Sequence, residues 1–175
     1  DLVSTGIDGF DKSIDMLRLG DSIVCQVGTI SDYKKFLAPF VNRAIEDGRN
    51  IVYFKFANKK PLFDDPSDDT IDSINNESIS TDLTKIKIFQ LDPNIGFNYF
   101  TLKISEIIKS EVKNTFYIFD NLTCLQRMWH SDSMIINFFS VICSYLHDLN
   151  AVSCFAIMRK AHSYVLPSKA REIAK

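Results

Sequence analysis

The sequence predicts an α/β domain built on a mostly parallel central sheet of about five strands. Two observations carry this. Short runs rich in β-branched and aromatic residues recur along the chain, each about the length of a buried strand. Between several of them lie longer segments whose apolar residues fall at helical spacing, and strands buried on both faces and separated by helices pack as a parallel sheet with a helical layer on each side.

In chain order the strand runs are Ser22 to Val27 (SIVCQV), Ile51 to Phe56 (IVYFKF), Ile86 to Leu91 (IKIFQL), Thr115 to Phe119 (TFYIF) and Val152 to Met158 (VSCFAIM). The first helical segment, Lys34 to Glu46, aligns Phe36, Phe40, Val41, Ala44 and Ile45 on one stripe. Pro39 falls one turn inside it, so the helix is expected to start late or to bend. A second, Tyr99 to Val112, aligns Leu102, Ile104, Ile107, Ile108 and Val112; Met134 to Leu149 is the most apolar of the three, and a short helical segment covers Ser168 to Lys175. Asp64 to Asp82 carries seven acidic residues and no basic ones, and reads as a solvated acidic surface loop. Residues 1–175 are expected to form a single domain.

Composition narrows the function classes. At 175 residues the chain is long enough to bury about two thirds of what it exposes when unfolded, so no disulfide or metal staple is needed. With 46% hydrophobic residues, six glycines and five prolines it is not a low-complexity chain. A net charge of -2 argues against nucleic acid or an anionic membrane as the main partner. There is no apolar run of about 18 residues and no signal-peptide pattern, and Cys25, Cys124, Cys143 and Cys154 sit apart in apolar runs, as reduced packed thiols do. The expectation is a soluble cytoplasmic protein. The chain opens at Asp1 without a methionine and is expected to be one module of a longer polypeptide.

Ligands of parallel sheets bind where strands run into helices at their carboxyl ends. There Ser4 to Asp11 (STGIDGFD), Leu19-Gly20-Asp21-Ser22 and the turn Val27 to Phe36 (VGTISDYKKF) follow one another, and later Phe116 to Asp120 ends an apolar run in an acid, followed by Asn121-Leu122-Thr123. In order and spacing this resembles the KaiC-like branch of the RecA-type P-loop ATPases. The resemblance implies a three-layer RecA/KaiC-like fold, a phosphate loop starting at Gly28, and a Walker B strand ending at Asp120. The segment is also similar, more weakly, to the N-terminal KaiC-like module that precedes the phosphotransfer domains of some phosphoenolpyruvate synthase and pyruvate, phosphate dikinase-like proteins, which would make the parent a transferase.

The departures from the motif matter most. A Gly-x-x-x-x-Gly-Lys-Ser/Thr loop turns backbone N–H groups toward phosphate, uses its Lys on the β and γ oxygens and its hydroxyl on magnesium. Laid on this chain, Gly28 and Lys34 match, but Tyr33 replaces the second glycine and Lys35 the hydroxyl. The family's catalytic glutamate would fall near Ala57 or Asn58, and neither is a base. Asp120 keeps its place, with two roles open: an ion pair with a lysine of the loop, or service to a bound nucleotide. The binding candidates are therefore Gly28, Lys34, Lys35 and Asp120, with no catalytic residue, no metal and no cofactor expected, and ATP or ADP held weakly at most.

Cys143 and His147, four apart on a helix, read as packing rather than ligands, and Trp129 before His130 as a packing anchor or interface residue in an exposed loop. Arg159-Lys160-Ala161-His162 and Lys55, Lys59 and Lys60 would form a basic rim at the strand ends, while Phe54 and Phe56 read as strand core. Three functions follow: a catalytically silent domain acting as a regulatory or interaction module, whose partners are other domains of its polypeptide or another protein; a nucleotide-binding switch through Gly28, Lys34 and Asp120; or a small-molecule enzyme using the strand-end crevice with His130 or His162.

Overall fold

The computed structural model describes residues 1–28, 30–56, 85–159 and 165–174. The elements in order are β1 (Leu2–Val3), α1 (Asp8–Ser13), β2 (Leu17–Arg18), β3 (Ser22–Val27), α2 (Ile30–Glu46), β4 (Asn50–Phe56), β5 (Ile86–Leu91), α3 (Phe97–Ser110), β6 (Thr115–Asp120), α4 (Leu122–Trp129), α5 (Asp132–Asp148), β7 (Ser153–Met158) and α6 (Val165–Ile173), with a 3₁₀ turn at Pro93–Ile95. Among the described residues five strands form one sheet in the order β3-β7-β6-β4-β5, every pairing parallel. The α/β class and the five-strand sheet are as expected from sequence. A small antiparallel ribbon, β1 with β2, precedes the sheet. The acidic segment 64–82, Ala57, Asn58, Lys59, Lys60, Lys160, Ala161 and His162 lie outside the described residues.

Alternation along each strand sends side chains to two separate cores. On one face, Val52, Phe54 and Phe56 of β4, Tyr117 and Phe119 of β6 and Phe155 and Ile157 of β7 meet α3, α4, α5 and Ala170 of α6. On the other, Ile51 and Tyr53, Phe116 and Ile118, and Cys154 and Ala156 meet Tyr33, Leu37, Phe40, Val41 and Ala44 of α2. The first core is held by rings. Phe119 stacks on Phe155 at 4.4 Å and on Phe54 at 5.0 Å, Phe139 meets Phe155 edge-on at 4.7 Å, and Phe100 bridges Phe56 and Trp129.

Three sequence expectations are refined. The stripe of α3 runs through Phe100, Ile104 and Ile108, whereas Leu102 and Val112 are 53% and 61% exposed; Leu102 lies half a turn from the buried line, and Val112 follows the helix. Helix α2 begins at Ile30, four residues before the expected start, and Pro39 sits inside it. Trp129 ends a helix rather than lying in a loop; its Nε1 donates to the Pro93 carbonyl at 3.1 Å, and its ring packs on Phe97, Phe100 and Phe138. It is the packing anchor of the two readings.

Phe119→Ala empties the centre of the ring cluster and should cost roughly 3–5 kcal/mol in urea denaturation, whereas Leu102→Ala should stay within about 0.5 kcal/mol. Equal effects at the two positions would contradict this division of α3 and the core.

Candidate functional site

Helix α2 leaves β3 onto one face of the sheet, and α4 and α5 leave β6 onto the other. In open parallel sheets with helices on both faces, ligands bind in the crevice beyond the carboxyl ends of the strands. Gly28 follows β3 there and is exposed. Its φ lies outside the left-handed region, and a Cβ built on it would meet nothing nearer than Asp32 Oδ2 at 3.9 Å, so neither backbone nor space demands glycine. With α2 starting at Ile30, just Gly28 and Thr29 separate strand from helix. A phosphate loop needs the residues between its two glycines in a turn that points N–H groups inward, and here most of that stretch is helical. Lys34 lies within the first turns of α2, and Lys35 is exposed.

Tyr33 is 1% exposed and belongs to the core beneath α2. Burial first, then the neighbouring Cys154, Tyr53, Asp120 and Cys25 groups, push its phenol pKa well above the usual tyrosine value. The ring thus reaches from the first turn of α2 toward Cys25, Cys154 and Tyr53 within β3, β7 and β4 and toward Asp120 at the end of β6.

Asp120, 6% exposed, ends β6. The Tyr53 hydroxyl donates to its Oδ2 at 2.7 Å, and Asn121 Nδ2 donates to its Oδ1 at 3.2 Å. The Asp120–Asn121 peptide is cis. Asn121 in turn caps α4, its Oδ1 accepting from the Cys124 N–H at 3.0 Å, and Thr123 Oγ1 accepts from the Met158 N–H at 3.0 Å. The run Asp120 to Thr123 therefore ties β6, α4 and β7 together. Strand register sets Lys55 of β4 directly across from Asp120, on the same face.

The opening motif has a structural use. Asp11 accepts Ser4 Oγ at 2.6 Å, Thr5 N–H at 2.9 Å and Thr5 Oγ1 at 2.6 Å, which pins the turn before α1. Burial pushes its pKa up, but the hydrogen bonds from Ser4 and Thr5, helped by Arg43, outweigh this and hold it below the usual carboxylate value. Gly6, at φ +78, lies against α2 at its proline: a Cβ there would sit 2.5 Å from the Pro39 carbonyl oxygen.

No protein-family model matches the chain, and no curated protein matches it in sequence. The structure brings Tyr33 and Asp120 together at the crevice, with Gly28 at its exposed lip. His130, left-handed at φ 49, caps the end of α4, and Arg159 is exposed past β7 with its N–H on the Val27 carbonyl at 2.7 Å. Cys143 is buried, and its thiol is pushed up to about 12 by burial, while the His147 side chain is 68% exposed. Among the described residues no group of three or more His, Cys, Asp or Glu side chains is placed to hold a metal ion, and no helix is long and apolar enough to cross a membrane. Tyr53 was not singled out from sequence, because nothing in a buried strand marks which tyrosine ends at a carboxylate. The burial of Tyr33 did have a signal: it extends the stripe of Leu37, Phe40, Val41 and Ala44 one turn upstream.

Because the folded pKa of Asp11 is lowered, its stabilisation is fully present above the unfolded value of about 3.9 and is lost as pH falls through the folded value. Asp11→Asn should lower the melting temperature at pH 7 and flatten its fall below about pH 4; an unchanged acid profile would contradict the assignment. Gly6→Ala should cost roughly 1–3 kcal/mol, measured by urea denaturation, since both its φ and the Pro39 carbonyl oppose a Cβ.

Proposed function

We propose that this chain is a catalytically silent KaiC/RecA-like domain that serves as a regulatory or interaction module of a larger protein. The observation that carries the reading is Tyr33: where the motif has a glycine around which backbone wraps phosphate, this chain has a ring buried among Asp120, Tyr53, Cys154 and Cys25. A phosphate cannot share that volume. The two-residue connection from β3 to α2 and the exposure of Lys35 in place of a magnesium-binding hydroxyl support the same reading. Asp120, engaged by Tyr53 and Asn121, then acts as a strut at the strand ends.

A ligand that binds the folded state alone must raise its stability, by about 2.7 kcal/mol at one hundred times its Kd. For a chain of this size that is a melting shift on the order of 5–10 °C. ATP and ADP, each at millimolar concentration with and without magnesium, should leave the melting temperature unchanged, and no phosphate should be released from ATP. A magnesium-dependent rise with ATP that disappears in Lys34→Ala would establish the nucleotide switch instead.

A further inference from the structure

Beneath the Tyr33 ring, Cys25 of β3 and Cys154 of β7 stand with their sulfurs 3.6 Å apart. Register pairs Cys25 with Ala156 and Ile23 with Cys154, so the two cysteines are diagonal neighbours on one face of the sheet. Cys25 is half-buried and Cys154 fully buried. Both belong to the core under α2, whereas Cys124 and Cys143 lie in the other core with the sheet between. We propose that Cys25 and Cys154 are an oxidative modification site, forming a reversible disulfide that joins β3 to β7 when a hydroperoxide reaches Cys25.

The two thiols are unequal in a way that sets the order of events. Cys25 has solvent access. Cys154 has none, and its hydrogen bond with Cys25, followed by burial, holds it protonated well above the usual thiol range. Cys25, as thiolate, attacks the near oxygen of the hydroperoxide: an S–O bond forms, the O–O bond breaks, and hydroxide leaves (alkoxide, from an organic hydroperoxide). The sulfenic sulfur is then the electrophile. Cys154 attacks it, the S–S bond forms, the S–O bond breaks, and the oxygen leaves as water with the Cys154 proton. Two thiols have lost two electrons, and the peroxide has been reduced to two waters or to water and an alcohol. Closing from 3.6 Å to an S–S bond of about 2.05 Å requires roughly 1.5 Å of approach, within reach of side-chain rotation and a small shift of β3. Among the described residues β3 pairs with β7 alone, so it is the strand freer to move. Both sulfurs are among the groups facing the Tyr33 phenol, so the cross-link changes what that ring packs against.

The test uses the whole chain, reduced, desalted and exposed to graded hydrogen peroxide under native conditions. The monomer should lose the mass of two hydrogens, non-reducing peptide mapping should join the Cys25 and Cys154 peptides, and dithiothreitol should reverse the change. Cys25→Ser should abolish the cross-link. Cys154→Ser should stop at a dimedone-trapped sulfenic acid on Cys25, while Cys124→Ser and Cys143→Ser should behave as wild type. Oxygen added to Cys25 without loss of hydrogen, a link through Cys124 or Cys143, or a link between chains would overturn the proposal. Should Cys154→Ser not fold, the wild-type map and the Cys25→Ser variant decide it.

Discussion

A carboxylate nearly sealed from solvent at the end of an apolar strand has to be supplied with donors, and the carboxyl edge of this sheet is organised around that requirement. Asp120 follows Thr115 to Phe119, all buried, and receives Tyr53 from the neighbouring strand and Asn121 from the turn that follows. Asn121 then caps α4, and Thr123 one turn on takes up the Met158 N–H of β7. Removing a donor from such a site costs about 1–3 kcal/mol, more than the bond itself contributes, because the buried acceptor is left without its partner. The same carboxylate that a nucleotide site would use for its cation is, in this chain, part of the joint between three elements.

The two faces of the sheet meet different demands. Under α3 to α5 large rings fill the space, with Phe119, Phe155, Phe54 and Phe139 in mutual contact. Under α2 strand β7 offers Cys154 and Ala156, small side chains against which rings from the helix can settle. Tyr33 is the one nearest the crevice. Its burial extends the hydrophobic stripe of α2 upstream, and the helix starts at Ile30.

Much of this was legible. The five strands stand where runs such as SIVCQV and IKIFQL place them, because strands buried on both faces need continuous apolar, β-branched sequence. The resemblance to the ATPase pattern marked Tyr33, Lys35 and Asp120 as the positions to inspect. What could not be read were facts set by neighbours. Leu102 and Val112 are as apolar as Ile104 but are left largely exposed by the described residues. The start of α2 was hidden because Gly28 and Ser31 are turn-forming residues, while Tyr33 packs with the core beneath the helix, a tertiary contact the local sequence does not show. The partnership of Cys25 with Cys154, 129 residues apart, depends wholly on β3 lying beside β7.

The burial of the Tyr33 phenol is the claim on which the reading of a silent domain rests, and ultraviolet titration of tyrosine ionisation reads it directly. Wild type and Tyr33→Phe should give superimposable curves up to the pH at which the fold is lost, because burial holds the Tyr33 phenol well above the usual tyrosine value. If the variant instead lacks one tyrosine that ionises near pH 10 in the wild type, the usual value for an accessible phenol, the ring is in water and that reading fails.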